Sequence, residues 1–393
     1  MAPATPFSVT QPTQIHFGCG EAANLATHIQ GCGAGKPLLV IDPGLVKAGL
    51  DKTIIDPLAA AGIDHAVYDE IDPEPGLRLA DRGTEIARQE GCDCVVGVGG
   101  GSAMDVAKAI AILLTNGGQA VDYLGLGKIK KPGVPKIMVP TSAGTGAEVT
   151  FTAVFINEET GSKGGMNGDP LYPDIAILDP ELTLSLPPDV TAATGIDALT
   201  HALEAYTSIQ ANPISEIYSI HAIGLIAKNI RTAYADGRNL QARSNMLLAS
   251  LLGGKALAIA GVGLVHAMAY PLGGMFAIPH GLANAVLLPF VTRFNLIGNL
   301  EKHARIAQML GQDIQGMSLR DAAEITVEEL HLLNQDLGIP ASLRDLSIPA
   351  DRFPEMADIA LTVARPVENN PRQPDREDII ALYEAAMAGA AAF

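Results

Sequence analysis

Asp197 and His201 stand four residues apart in the run Gly195-Ile-Asp-Ala-Leu-Thr-His-Ala-Leu-Glu-Ala-Tyr206. In a helix that spacing sets a carboxylate and an imidazole on one face, one turn above the other. Two more histidines follow, in Val265-His266-Ala267 and Pro279-His280-Gly281. Three imidazole nitrogens and one carboxylate oxygen make a donor set for a borderline divalent cation such as iron(II) or zinc. A single histidine in an apolar helix is ordinarily a core or hydrogen-bonded residue, so this reading requires all four to converge. His266 and His280 are fourteen residues apart, about 21 Å of straight helix. Two ligands of one ion lie within about 4 Å of each other. The chain must therefore reverse between them, and Pro271-Leu-Gly-Gly274 and Pro279 are the expected breaks.

Two glycine-rich loops lie upstream. Val95-Val-Gly-Val-Gly-Gly-Gly-Ser102 closes an apolar run and opens a helical one. Gly99, Gly100 and Gly101 let the backbone approach a ligand, and the helix N-terminus offers free N–H groups to a pyrophosphate. Ser102 stands where a dinucleotide fingerprint has its last glycine. The second loop is Pro140-Thr-Ser-Ala-Gly-Thr-Gly146, rich in hydroxyls. Asp42 follows the apolar run 38–41. Its carboxylate either takes a ribose 2′-hydroxyl, repelling a 2′-phosphate, or serves as the turn aspartate before Pro43-Gly44.

The elements that must position these residues fall into two classes. Apolar runs at 38–41, 66–68, 94–98, 137–139, 151–156 and 175–178 read as strands, with helical stretches at 76–90 and 103–114 between them. Such alternation implies a largely parallel sheet with crossover helices. Beyond Leu186-Pro-Pro188 the strand signals stop, and 191–207, 214–234, 240–260, 282–296, 301–310, 319–337 and 375–391 read as helices. The expectation is an α/β domain over 1–187 and an all-α domain over 188–393.

The chain has 393 residues, 48% hydrophobic, with 4% aromatics and no Trp. That suits two domains with a large aliphatic core. A net charge of −17 argues against nucleic acid or an anionic membrane as partner. Cys19, Cys32, Cys92 and Cys94 fit neither a usual disulfide pattern nor a zinc motif and read as reduced thiols of a cytoplasmic protein. No leader pattern opens the sequence, and no run of 18 apolar residues is free of charge.

Taken together, these segments resemble the iron-containing (group III) alcohol dehydrogenase family, within the dehydroquinate synthase-like fold. The resemblance spans essentially the whole chain. It is carried by Phe17-Gly18, Gly99-Gly-Gly-Ser-Ala-Met-Asp-Val-Ala-Lys108, Pro140-Thr-Ser-Ala-Gly-Thr-Gly-Ala-Glu-Val149, Asp179-Pro-Glu-Leu-Thr-Leu184, the run from Thr194 to Tyr206, Gly263-Leu-Val-His266, Pro279-His-Gly281 and Asn370-Pro-Arg372. It implies Asp197, His201, His266 and His280 as ligands of one metal, iron(II) ahead of zinc. It implies NAD, held by Asp42, Gly99, Gly100, Gly101, Ser102, Asp105, Thr141, Ser142, Thr145 and Lys163. It also implies an N-terminal α/β dinucleotide-binding domain, a helical metal-binding domain, and at least a homodimer. The implied reaction passes hydride between a small alcohol, or its aldehyde or ketone, and NAD, with the metal as Lewis acid.

Several positions depart from the family pattern. Tyr270 stands where a second histidine is usual, near the nicotinamide and the proton path. Lys255, Leu257 and Ile259 replace the usual Met, Phe and Asn, and Pro73-Glu-Pro-Gly76 replaces a Pro-Asn-Pro-Thr run. Lys255 lies eleven residues before His266, almost three turns of a continuous helix. On that basis it could face the substrate pocket and pair with an anionic aldehyde or keto acid; otherwise it is a surface lysine. A dehydroquinate synthase-type lyase and a non-catalytic binding protein are the alternatives from other classes.

Overall fold

The computed structural model describes residues 6–389. The outer limits of both expected domains, and the end of the expected last helix at Ala391, lie outside the described residues. The strands are β1 (Gln14–Phe17), β2 (Pro37–Ile41), β3 (Ala66–Tyr68), β4 (Cys94–Gly99), β5 (Gly125–Leu126), β6 (Lys136–Pro140), β7 (Thr152–Asn157), β8 (Ser162–Asn167) and β9 (Ile175–Leu178). Helices α1 (Leu25–Gly31), α2 (Pro43–Lys47), α3 (Lys52–Ala60), α4 (Leu77–Glu90) and α5 (Gly101–Asn116) alternate with them. Helices α6 (Pro188–Thr207), α7 (Pro213–Ala235), α8 (Leu240–Ala260), α9 (Leu264–Phe276), α10 (His280–Asn295), α11 (Leu300–Met309), α12 (Leu319–Asp336), α13 (Phe353–Thr362), α14 (Ala364–Asn369) and α15 (Arg376–Ala388) follow without a strand between them.

The main sheet has six parallel strands in the order β1-β9-β6-β4-β2-β3. Strands β2, β4 and β6 are buried along their whole length, as expected of a parallel sheet covered on both faces. Leu38 and Val40 join the core under α4 and α5, while Leu39 and Ile41 join the core under α1 and α3. The helices that follow β2 and β4 therefore lie on opposite faces. Their loops part over Gly99 and leave a crevice at the carboxyl ends of the strands.

Two expectations need correction here. The 151–156 run does not enter the parallel sheet: β7 pairs antiparallel with β8 in a separate three-stranded sheet. Only residues 158–161 join them, too few for a crossover. Nor does Pro271 break the chain. It lies inside α9, whose apolar face is buried against α10 and α13 and carries the helix through to Phe276. The reversal falls at Ala277, in the left-handed region at φ 55°, and at Pro279.

The helical half packs around one large core. Helix α10 with the turn after it, His280–Gly298, is long and apolar enough to cross a membrane, but most of it is buried inside the protein. The four cysteines are free thiols.

Candidate metal centre and nucleotide crevice

On α6, Asp197, His201 and Glu204 follow the i, i+4, i+7 rhythm of one helix face, and all three are buried. Helix α10 opens with His280 directly after Pro279, and Asn284 sits one turn further on. A Cβ on Gly281 would come within 2.5 Å of the Ala193 carbonyl oxygen, so only glycine lets α10 lie this close to α6. His266 is on the first turn of α9.

The four side chains of the expected metal site come together. Asp197 Oδ1 is 3.9 Å from His201 Nε2, 3.9 Å from His266 Nε2 and 3.8 Å from His280 Nε2. Two imidazoles are held in a defined tautomer. His201 Nδ1 faces the Gly144 carbonyl oxygen at 3.3 Å, and His266 Nδ1 faces Glu204 Oε2 at 2.6 Å. Both partners are acceptors, so both Nδ1 atoms carry the proton and both Nε2 lone pairs point to the centre. Glu204 also accepts from the backbone N–H groups of Gly263, at 2.7 Å, and Val265, at 2.6 Å. One carboxylate thus builds the turn into α9 and orients His266.

The electrostatics suit a cation. Asn284 Nδ2 approaches Asp197 Oδ1 at 2.7 Å, His266 Nε2 at 3.2 Å and His280 Nε2 at 3.3 Å. An amide has two hydrogens, while Asp197 Oδ1 and the Nε2 lone pairs of His266 and His201 already make three acceptors. The centre therefore holds more lone pairs than the chain can satisfy, and this donor set fits a divalent ion. Burial opposes ionisation of Asp197, but the three imidazoles and Asn284 outweigh it and hold the carboxyl below its usual range. Burial pushes His201 down, and burial together with Lys163 pushes His280 well down, so both are neutral near pH 7.

Most of the residues expected at the nucleotide gather at one crevice, with Asp105 the exception. Asp42, Gly99 and Thr141 sit at the ends of three adjacent strands, tied by Asp42 N–H to the Val98 carbonyl and Thr141 N–H to the Gly99 carbonyl, each at 3.0 Å. Gly99 has φ 151°, and a Cβ there would meet Ala103 and Asp42 at 2.9 Å. Gly100 caps α5 without a side-chain partner, leaving the first N–H groups of a sixteen-residue helix to the crevice. Ser142 and Thr145 lie against Gly100 and Gly101. The Ser102 hydroxyl donates to the Pro73 carbonyl. Asp42 Oδ1 accepts from Gly44 N–H at 2.7 Å, so it caps α2 and keeps its second oxygen for a ligand. Asp105 turns inward: Oδ2 accepts from Val154 N–H at 2.9 Å and Oδ1 pairs with Lys108 at 3.0 Å.

Lys163, on β8, pairs with Glu74 at 2.6 Å and stands 5.8 Å from the Tyr270 ring centroid. That ring is 6.4 Å from His280, so Tyr270 lies between the nucleotide crevice and the metal centre. Burial, with Asp105 and Glu74 adding to it, pushes its phenol up to about 12. Lys255 does not reach this cleft. Helix α8 ends at Gly261 and turns by 105° into α9, so the three-turn spacing to His266 does not apply. On α8, Gly253 faces Ala198 and His201; Lys255 is about 200° further round. Its ammonium meets Gln11 Oε1 at 3.2 Å and the Tyr218 ring at 5.4 Å.

Residues 12–180 match the iron-containing alcohol dehydrogenase family, and residues 191–387 match the C-terminal domain of the Fe-containing alcohol dehydrogenase family. The chain belongs to the iron-containing alcohol dehydrogenases. It is 44% identical over 383 residues to the 1,3-propanediol dehydrogenase of Klebsiella pneumoniae, covering 97% of this chain and 98% of that one. A crystal structure of 1,3-propanediol oxidoreductase superposes with a TM-score of 0.95 at 42% identity, covering 98% of this chain and all of that one. The sulfoacetaldehyde reductase of Bifidobacterium kashiwanohense, in complex with NAD+, superposes at 0.87 with 31% identity, over 98% and 99% of the two chains. As an iron-containing alcohol dehydrogenase, this chain is an NAD- and metal-dependent oxidoreductase of small alcohols and their carbonyl partners, and the lyase alternative is set aside.

Glu204, Asn284 and Glu74 were not singled out from the sequence. The first two were within reach. Glu204 continues the Asp197–His201 face, and Asn284 lies one turn from His280.

Proposed function

We propose that Asp197, His201, His266 and His280 hold one divalent ion, iron(II) in the cell, and that the substrate is a small neutral primary alcohol or its aldehyde. The observation that carries the ligand assignment is the surplus of inward-facing lone pairs around Asn284. When bound, the ion supplies Lewis-acid stabilisation of an alcohol or carbonyl oxygen. The remaining work belongs to the chain. Glu204 and the Gly144 carbonyl keep two imidazoles in the donor orientation. The N-terminus of α5 with Ser142 and Thr145 holds the pyrophosphate of NAD, Asp42 takes the adenosine ribose, and Lys163 stands at the nicotinamide end beside Tyr270. Tyr270 hydrogen-bonds as a neutral phenol beside the nicotinamide. Neutral substrates are favoured over anionic ones because Lys255 faces away from the cleft and Lys163 is already paired with Glu74.

The division into an α/β unit over 1–187 and a helical unit over 188–393 is part of this reading, supported by β9 ending at Leu178 and α6 starting at Pro188. Self-association as a dimer or higher oligomer is supported by exposed Ile209, Ile214 and Ile217 at the α6–α7 turn, and a cytoplasmic setting by the four free thiols. The test is a panel of neutral and anionic alcohols and aldehydes with metal-loaded protein and NAD or NADH, followed at 340 nm. The loaded His280→Ala variant should lose more than ~100-fold in turnover, beyond the 10–100-fold typical of residues that only support a ligand. Near-native turnover in that variant defeats the ligand assignment, and preference for the anionic members defeats the substrate reading.

A further inference from the structure

A second cluster of metal-type donors lies far along the chain from the first. His16 is on β1, Glu21 opens the short turn after it, and His28 is on α1. One ligand atom from each lies within 4.8 Å of the other two. Glu21 Oε1 is shared: it is 3.1 Å from His28 Nε2 and 3.7 Å from His16 Nδ1. A tetrahedral ion with bonds of about 2.0–2.2 Å sets its ligand atoms roughly 3.3 Å apart. The two imidazole rings adjoin, 4.1 Å between centroids and tilted by 48°.

Two observations separate this cluster from an ordinary ion pair. The His16 ring makes no hydrogen bond. Its Nδ1, the nitrogen on the Glu21 side, stands 3.7 Å from the carboxylate, beyond bonding range. The Glu21 carboxylate is also fixed from behind, with Oε2 accepting from Asn24 Nδ2 at 3.1 Å. That is the supporting contact a metal-binding carboxylate ordinarily has.

We propose that His16, Glu21 and His28 form a second divalent-metal site, suited to zinc, with the remaining positions filled by water. Two nitrogens and one oxygen from the protein match zinc's preferences. The site has a structural consequence. Strand β1 is an edge strand held through β9 alone. An ion at His16 and His28 staples that edge to α1 across the Gly18–Gly20 turn. The site is independent of the reading of the catalytic centre.

The test compares zinc content per chain after dialysis of the metal-stripped protein against zinc chloride at pH 7.5. Wild-type protein should hold one more zinc than either His28→Ala or His16→Gln, and should gain more in melting temperature on zinc addition. Both variants, loaded with iron, should oxidise alcohol within twofold of wild type, which shows that they fold. Equal zinc content in wild type and both variants overturns the proposal.

Discussion

Replacing Glu204 by glutamine tests whether the centre is built from its supports outward. Glu204 is 6% exposed and takes three short hydrogen bonds, from Gly263 N–H, Val265 N–H and His266 Nδ1–H, at 2.7, 2.6 and 2.6 Å. Gln has one acceptor oxygen. In its better orientation that oxygen keeps Gly263 and His266, and its NH2 is turned against the Val265 N–H. That leaves the Val265 N–H and the amide hydrogen facing it both unmet, at about 1–3 kcal/mol each. In a unit of roughly 150–250 residues each kcal/mol lowers Tm by about 2–4 °C. The other orientation keeps Val265 but loses both Gly263 and His266. His266 then turns freely, and metal affinity should fall about 10–100-fold, or roughly 1.4–2.7 kcal/mol. The assays are a competitive chelator titration and thermal melting of the loaded and stripped forms. The variant should lose stability in both forms and affinity in the chelator assay. Unchanged metal affinity together with a Tm within 1 °C of wild type would refute the argument that Glu204 positions His266.

Asp42→Gly should narrow the preference for NADH over NADPH by at least about tenfold, since like charges in close contact cost several kcal/mol; a wild-type enzyme that already uses both cofactors equally removes that role. With its phenol pushed up to about 12, Tyr270 should contribute no break to the pH profile of alcohol oxidation between pH 6 and 10, whereas Tyr270→His should introduce one near neutrality. A wild-type break near pH 10 that vanishes in Tyr270→Phe contradicts this. His201 and His280 have folded-state pKa values below 6.5, burial being the first cause in each. Their contribution to stability is complete above pH 6.5 and is lost as pH falls through the lowered values, because the unfolded chain takes up protons first. The Tm of the metal-stripped protein should therefore drop between pH 7 and pH 5, and a flat profile there excludes the effect.

Much of the site was legible as local pattern. Asp197 and His201 share a face because a helix turns every 3.6 residues, and the apolar runs at 38–41, 94–98 and 137–139 announced the strands whose ends hold the crevice. Less apolar elements were not legible. Strand β8, Ser162–Asn167, carries only one fully buried residue, and β1 shows no clean alternation, so neither stands out as a strand. Distance between segments was not legible either. Spacing placed Lys255 over His266, but the 105° turn at Gly261 moved it to the far side of α8. Prolines suggested two reversals between His266 and His280, but burial of the α9 face carried the helix through Pro271 and left the turn to Ala277 and Pro279.

The sequence by itself determined which side chains share a turn, which segments are apolar enough to be covered, and which donor types are present, because each depends on neighbours within a few residues. Only the tertiary structure decided that His266 and His280 meet Asp197, that Glu204 holds His266 in place, and that Glu74 and Tyr270 flank Lys163. Those meetings are set by how buried helix faces compete to pack, a property of the whole chain that no local spacing contains.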